Sequence, residues 1–154
     1  MKILKTGDLA PDFKGVDQDG KSISLNDFKG KKVIIYFYPK DNTPGCTAEA
    51  CNLRDNFDDL LKQGFEIIGV SADSVNSHKK FSEKYNLPFS LISDPDKKIL
   101  ELYNAWGEKK MYGKTYQGVL RKTFILNNDH KIEKIIEKVD TKDHTNQIYK
   151  ELKL

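Results

Sequence analysis

Apolar and polar residues recur along most of the chain with one of two periods, and these divide it into strands and helices. From Phe13 to Ile23 the alternation has period two, broken by Asp17-Gln18-Asp19-Gly20, which predicts a hairpin near the N-terminus. Val33-Ile34-Ile35-Tyr36-Phe37-Tyr38 is β-branched or aromatic at every position and reads as a strand buried on both faces. Pro39 closes it, because proline cannot donate to a ladder. Between Cys46 and Lys62 the apolar positions are Cys46, Ala50, Leu53, Phe57, Leu60 and Leu61. Steps of three and four mark one face of a helix, which Gly64 ends.

The same reading continues with a strand at Phe65–Val70 and a helix at Val75–Tyr85, its stripe made of Val75, the Lys79 stem, Phe81 and Tyr85. A short strand at Phe89–Ile92 and a helix from Lys97 to Tyr103 come next. Trp106 to Gly118 is rich in Gly and Tyr, shows no period, and reads as a loop. Thr123–Leu126 and Ile132–Val139 predict two antiparallel strands around Asn127-Asn128-Asp129-His130, and Lys142–Leu154 a closing helix. This order predicts an α/β fold with a mixed central sheet flanked by helices and an N-terminal hairpin extension. Ligand chemistry in such sheets gathers beyond the carboxyl ends of the strands, so the loop after Tyr38 is the first place to look.

Composition narrows the function classes. The 154 residues suit one domain spanning the whole chain, 1–154, with no linker or repeat. A chain of this length buries roughly 68–70% of its surface on folding, so it needs no disulfide or metal staple. Lys+Arg at 26 against Asp+Glu at 23 leaves a mild excess spread along the chain, which reads as a solvated surface rather than a nucleic-acid groove. The longest apolar run, Val33 to Tyr38, is far too short to cross a bilayer, and the N-terminus turns polar at once; a cytoplasmic protein is expected. His78, His130 and His144 have no ligand-like spacing to either cysteine, and no glycine-rich phosphate loop, flavin or haem motif is present. No metal and no cofactor are expected.

The loop is Pro39-Lys40-Asp41-Asn42-Thr43-Pro44-Gly45-Cys46, running from a strand end into the first turn of a helix. A helix N-terminus presents unpaired N–H groups and the positive end of the dipole, and a thiol placed there ionises more easily. Thr43 can offer a hydroxyl to the sulfur or to a bound oxygen. Equally, Cys46 can be a small buried residue heading the apolar stripe. Spacing leaves both readings open. Cys51 lies about 140° around the helix from Cys46, towards Asp55 and Asp58, where a core cysteine is out of place. Ideal helix geometry separates the two Cα atoms by about 8–9 Å, beyond the ~7 Å that a disulfide spans without backbone movement. A bond between them requires the first turns to unwind.

At these residues the chain resembles the peroxiredoxins. Pro39, Thr43 and Cys46 after Tyr36-Phe37-Tyr38 match that family's active-site loop, and the stretch through Ala50-Cys51 and Arg54-Asp55 is similar to its peroxiredoxin Q or bacterioferritin-comigratory-protein branch. The likeness extends from Gly7-Asp8 and Ala10-Pro11-Asp12-Phe13, through Gly69-Val70-Ser71 and Asp73-Ser74, to Gly118, Arg121 and Phe124. The resemblance implies a thioredoxin-like fold and thiol-dependent reduction of hydrogen peroxide and organic hydroperoxides. Cys46 would be the peroxidatic cysteine, left as a sulfenic acid, and Cys51 the resolving cysteine that condenses with it into an intramolecular disulfide. Arg121 would stabilise the thiolate and the charge on the breaking O–O bond. Thr43 would orient peroxide and thiolate, Pro39 would cover the sulfur, and Glu49 would support the arginine. The implied partners are a peroxide and a thioredoxin- or glutaredoxin-like reductant, with no nucleic acid or membrane, in a monomer.

Two other readings compete. A thioredoxin-like disulfide oxidoreductase would need a C-x-x-C pair, placing a cysteine where this chain has Thr43 or Glu49, and a late cis-proline, whereas none follows Pro95. A peroxide sensor or chaperone-like protein of the same fold would use Cys46 without steady turnover.

Overall fold

The computed structural model describes residues 2–153. In chain order its elements are β1 (Lys14–Val16), β2 (Ser22–Ser24), a 3-10 turn (Leu25–Phe28), β3 (Lys32–Phe37), α1 (Pro44–Asp55), α2 (Phe57–Lys62), β4 (Phe65–Ser71), α3 (Val75–Tyr85), β5 (Ser90–Ser93), α4 (Lys98–Leu102), β6 (Trp106–Met111), β7 (Lys114–Val119), β8 (Lys122–Leu126), β9 (Ile132–Ile136) and α5 (His144–Leu152). Seven strands form a mixed sheet in the order β2-β1-β5-β4-β3-β8-β9, while β6 and β7 pair separately. β3 runs parallel to β4 and antiparallel to β8. Among the described residues, no helix is long and apolar enough to cross a membrane.

The continuous apolar run of β3 is explained by its central place. Val33, Ile35 and Phe37 enter a core on one face of the sheet, with Ile99, Leu100 and Tyr103 from the α4 side. Ile34, Tyr36 and Tyr38 enter a second core on the other face, with Cys46, Ala50 and Leu53 of α1, Phe81 of α3 and Ile148 of α5. Period-two alternation across a sheet covered on both sides makes every position buried.

Four expectations need correction. The stretch from Trp106 to Gly118 is a β-hairpin, not a loop. Its strands are polar on both faces, so hydrophobic periodicity carried no signal; the turn is Tyr112-Gly113, both at positive φ. The long helix from Cys46 to Lys62 is two helices. The Asn56 side-chain amide donates to the Asn52 carbonyl at 2.8 Å, taking the acceptor that a continuous helix reserves for the Asn56 backbone N–H. Leu61 of the anticipated stripe is exposed, and in α3 the inward position belongs to His78 while Lys79 points out. The closing helix starts at His144 rather than Lys142, and its expected last residue, Leu154, lies outside the described residues.

Candidate functional site

The loop after β3 enters α1 with Thr43 as N-cap in extended conformation and Pro44 at the first helical position, where a missing N–H costs nothing. Cys46 is therefore the third residue of α1, inside the turn whose N–H groups have no partner within the helix. The antiparallel register of β8 on β3 pairs Phe37 with Lys122. One step beyond, at the carboxyl end of β3, stands Arg121.

This crossing places the arginine on the sulfur. Arg121 Nη2 donates to Cys46 Sγ at 3.2 Å, and Nη1 donates to Glu49 Oε1 at 2.7 Å. Cys46 is only 1% exposed, so the sulfur sits in packed surroundings, yet one side of it faces a cation. Cys46 heads the buried stripe, as one reading of the spacing expected, and it also contacts Arg121. Partial burial works against the Arg121 charge, but Glu49 and Cys46 together outweigh it and raise its pKa. Glu49 side-chain atoms are wholly buried, and that burial pushes the carboxyl up to about 7 against the pull of Arg121.

The other anticipated residues are placed with less direct contact. The Thr43 hydroxyl donates to the Lys40 carbonyl at 2.9 Å rather than to the sulfur, leaving its oxygen lone pairs as the group it can offer a ligand. Pro39 is half-buried just beyond β3, at the start of the loop. Cys51 is half-buried on the same unbroken helix as Cys46, and both thiols are free.

Two buried histidines join the loop and the arginine in ways that short-range spacing could not reveal. His78 Nδ1 lies 2.7 Å from Asp41 Oδ2, and its Nε2 lies 3.0 Å from the Ile92 carbonyl. Asp41 also accepts from the Tyr38 and Ser77 hydroxyls, and its backbone N–H donates to Asp73. This network ties the start of the loop to α3 and β4. The ligand atoms of Asp41, Asp73 and His78 lie within 4.8 Å of one another, the spacing of a metal cluster, but protein hydrogen bonds engage each of these side chains. His144, at the start of α5, places Nε2 2.8 Å from Thr123 Oγ1 and 3.5 Å from Glu49 Oε2.

Burial lowers His144 to about 4, opposite in direction to Glu49. The consequences for stability oppose each other. Between its ordinary 4.5 and about 7, Glu49 keeps a proton in the folded protein that the unfolded chain has lost, so its contribution falls as pH rises. Between its ordinary 6.5 and about 4, His144 stays neutral while the unfolded chain is protonated, so its contribution falls as pH drops. Glu49→Gln removes the first slope and leaves the second. Its melting temperature should decline more steeply than the parent's as pH is lowered from 6.5 towards about 4; parallel curves would show that the two groups do not titrate this way.

Known proteins match this chain over most of its length. Residues 6–135 match the AhpC/TSA family. Peroxiredoxin Bcp of Escherichia coli (strain K12) is 45% identical over 153 residues, covering 99% of this chain and 98% of its own. A solved structure of a cysteine-to-serine variant of Xylella fastidiosa PrxQ superposes with a TM-score of 0.91 at 28% identity, covering 99% of this chain and 98% of that one. A structure of the Xanthomonas campestris bacterioferritin comigratory protein, described for its alkyl peroxide reduction activity, has a TM-score of 0.85 at 35% identity and covers 92% and 90%.

Proposed function

The chain belongs to the AhpC/TSA family as a peroxiredoxin of the Bcp and Q branch, with the thioredoxin-like fold of that family, and from that premise we propose that Cys46 is the residue that reduces hydrogen peroxide and organic hydroperoxides. The Cys46 thiolate attacks the terminal peroxide oxygen. An S–O bond forms, the O–O bond breaks, and the departing alkoxide or hydroxide takes up a proton; sulfur is oxidised to the sulfenic acid and the peroxide is reduced to alcohol or water. The observation that supports this reading is the bridging guanidinium, with one nitrogen on Cys46 and the other on Glu49. A fixed cation beside the sulfur is placed to stabilise the charge that builds on the breaking bond without reorganising. Glu49 holds that cation in position. The Thr43 oxygen, its own hydrogen engaged with Lys40, accepts from the hydroperoxide O–H and aims it at the sulfur. Pro39 limits water at the mouth of the loop.

Cys51 then resolves the sulfenic acid. Its thiol sulfur bonds to the Cys46 sulfur and water leaves, giving an intramolecular disulfide that a thioredoxin- or glutaredoxin-like dithiol reduces by exchange. Both cysteines lie on the regular helix α1, which holds their Cα atoms about 8–9 Å apart, so the first turns must unwind to bring the sulfurs together. Unwinding also strains a clamp: Asn52 accepts from the Thr145 N–H at 2.8 Å and donates to the Lys142 carbonyl, fastening α1 to the start of α5.

The test is steady-state consumption of hydrogen peroxide and an organic hydroperoxide, with thioredoxin and glutaredoxin systems each supplied as reductant. Sustained turnover is expected with at least one of them; stoichiometric oxidation without turnover would indicate a sensor instead. In Cys51→Ser the first reaction with peroxide should keep its rate, while mass spectrometry should find a sulfenic acid in place of the Cys46–Cys51 bond. Amide exchange across residues 46–53 should quicken in the oxidised parent and not in this variant. Absence of that disulfide from the oxidised parent would remove Cys51 from the cycle.

A further inference from the structure

Next to the contact between Arg121 and the sulfur, Glu49, His144 and Thr123 form a buried polar cluster that peroxide reduction by Cys46 does not by itself explain. Glu49 Oε1 is engaged by Arg121, but Oε2 is buried and has no hydrogen-bond partner. His144 Nε2 lies 3.5 Å from it, on a ring that is itself fully buried. The tautomer of that ring follows from its surroundings. Gln147 Nε2 donates to the Lys138 carbonyl and its Oε1 accepts from the Asp140 N–H, so the amide orientation is set. His144 Nδ1, 2.9 Å from that oxygen, must carry the hydrogen. Nε2 is then the acceptor of the neutral ring, and its one lone pair is within reach of the Thr123 hydroxyl at 2.8 Å or of a proton on Oε2 at 3.5 Å. A buried carboxylate oxygen without a donor is costly, and a proton shared with the neighbouring Nε2 removes that cost.

We propose that Glu49 and His144 form a proton-holding pair that carries one proton while Cys46 is a thiolate and releases it when Cys46 is oxidised; this rests on Cys46 being the peroxide-reactive thiol. The argument is one of charge. With Cys46 ionised and Glu49 unprotonated, the buried cluster holds two anions and the single cation Arg121. One proton on the Glu49–His144 pair brings it to neutrality. Once the sulfur is a neutral sulfenic acid, Arg121 serves Glu49 alone, and the same proton becomes an excess charge. Other ionisable groups do not take this part. The Tyr36 hydroxyl, facing the cluster from β3, is held neutral by burial. Asp140 acts on His144 only as a distant anion favouring its charged form. The burial that lifts Glu49 to about 7 places the release within reach of neutral solution.

Proton balance follows. Attack by a thiolate creates one alkoxide, which takes up one proton; release from the pair offsets that uptake. His144 acts here as a positioning residue: when Glu49 is protonated the Thr123 hydroxyl turns away and Nε2 accepts from Oε2–H instead, without touching peroxide.

The experiment measures bulk proton uptake per Cys46 oxidised. Cys51→Ser protein in weak buffer is mixed with one equivalent of hydrogen peroxide and a pH indicator. The pH is set just above about 7, where ultraviolet absorbance confirms the thiolate, and sulfenic acid is counted by trapping. Uptake well below one proton per sulfenic acid is expected. Adding Glu49→Gln should restore it to one, whatever that change does to the rate. Adding His144→Leu should move the pH at which uptake reaches one downward by about one unit, the effect of losing one hydrogen bond to the protonated carboxyl. One proton per sulfenic acid at every pH in the parent would overturn the pair, as would equal uptake in the Glu49→Gln variant. Absence of sulfenic acid at Cys46 would instead overturn the peroxidatic assignment itself. Should His144→Leu fail to fold, the comparison with Glu49→Gln still decides.

Discussion

Cys46→Ser should abolish peroxide consumption while leaving the fold intact. The loss is expected to be on the order of a thousandfold or more, the scale on which removing an enzyme's nucleophile acts. A serine hydroxyl is far too weak an acid to supply an anion at neutral pH, and an uncharged hydroxyl does not attack an O–O bond. The substitution is gentle in every other respect. Oxygen is smaller than sulfur, the position is 1% exposed, and Arg121 Nη2 already points a donor at it, so the new hydroxyl is buried with a partner. Melting temperature and far-ultraviolet circular dichroism should stay close to the parent's. The measurement is peroxide loss in the coupled assay with excess reductant. Turnover within tenfold of the parent would mean that another group reduces peroxide. A large drop in melting temperature would mean instead that the sulfur serves the core more than the chemistry.

What drew attention to Cys46 in the sequence was local, a closed apolar strand, a loop, then a helix start carrying a thiol and a second thiol five positions on, but that spacing left a buried reading equally open and only the resemblance to the peroxiredoxins favoured a reactive one. Elements with a strong period were equally readable. The run from Val33 to Tyr38 announced a strand covered on both sides because every one of its side chains had somewhere apolar to go. The hairpin of β6 and β7 was invisible for the opposite reason. Between its ends it is mostly polar, with Tyr112 at its turn 95% exposed, so backbone pairing holds its outer part while Trp106 and Val119 at its base pack on the core. The supporting groups of the site were hidden by distance along the chain. Glu49 shows nothing in the sequence of being fully buried, and His144 reaches it across 95 positions, brought there by the packing of α5 on α1. His78 is separated from Asp41 by 37 positions. No spacing rule links such pairs. The detectable hint lay in the helix pattern: α3 has its inward position filled by His78 where the expected stripe ran through the Lys79 stem, and a buried histidine needs partners.

Arg121→Met should separate chemistry from stability, because the arginine serves both. Its removal takes away a preorganised donor at the reacting sulfur, and losses of about 10²–10³ in the rate of peroxide reduction are typical for such a group. It also strips Glu49 of its cation. An uncompensated buried charge costs about 3–5 kcal/mol, but this carboxyl already gives up its proton only near pH 7, and without Arg121 it holds that proton still more tightly. The variant neutralises the group instead. What remains is a poorly satisfied polar site, worth about 1–3 kcal/mol. The sign of the pH dependence follows: a folded-state pKa raised above the unfolded one means stability lost as pH rises, in parent and variant alike up to about 7, so the deficit against the parent should open only above about 7, where the variant alone keeps the proton. Adding Glu49→Gln should recover most of the stability, since a neutral amide tolerates the missing cation, and should recover none of the rate. Thermal melts on both sides of that pH and stopped-flow oxidation of the parent, Arg121→Met and the double variant give both readouts. If rate and stability returned together in the double variant, Arg121 would be acting by holding the packing around Cys46, and its placement against the sulfur would have no chemical part.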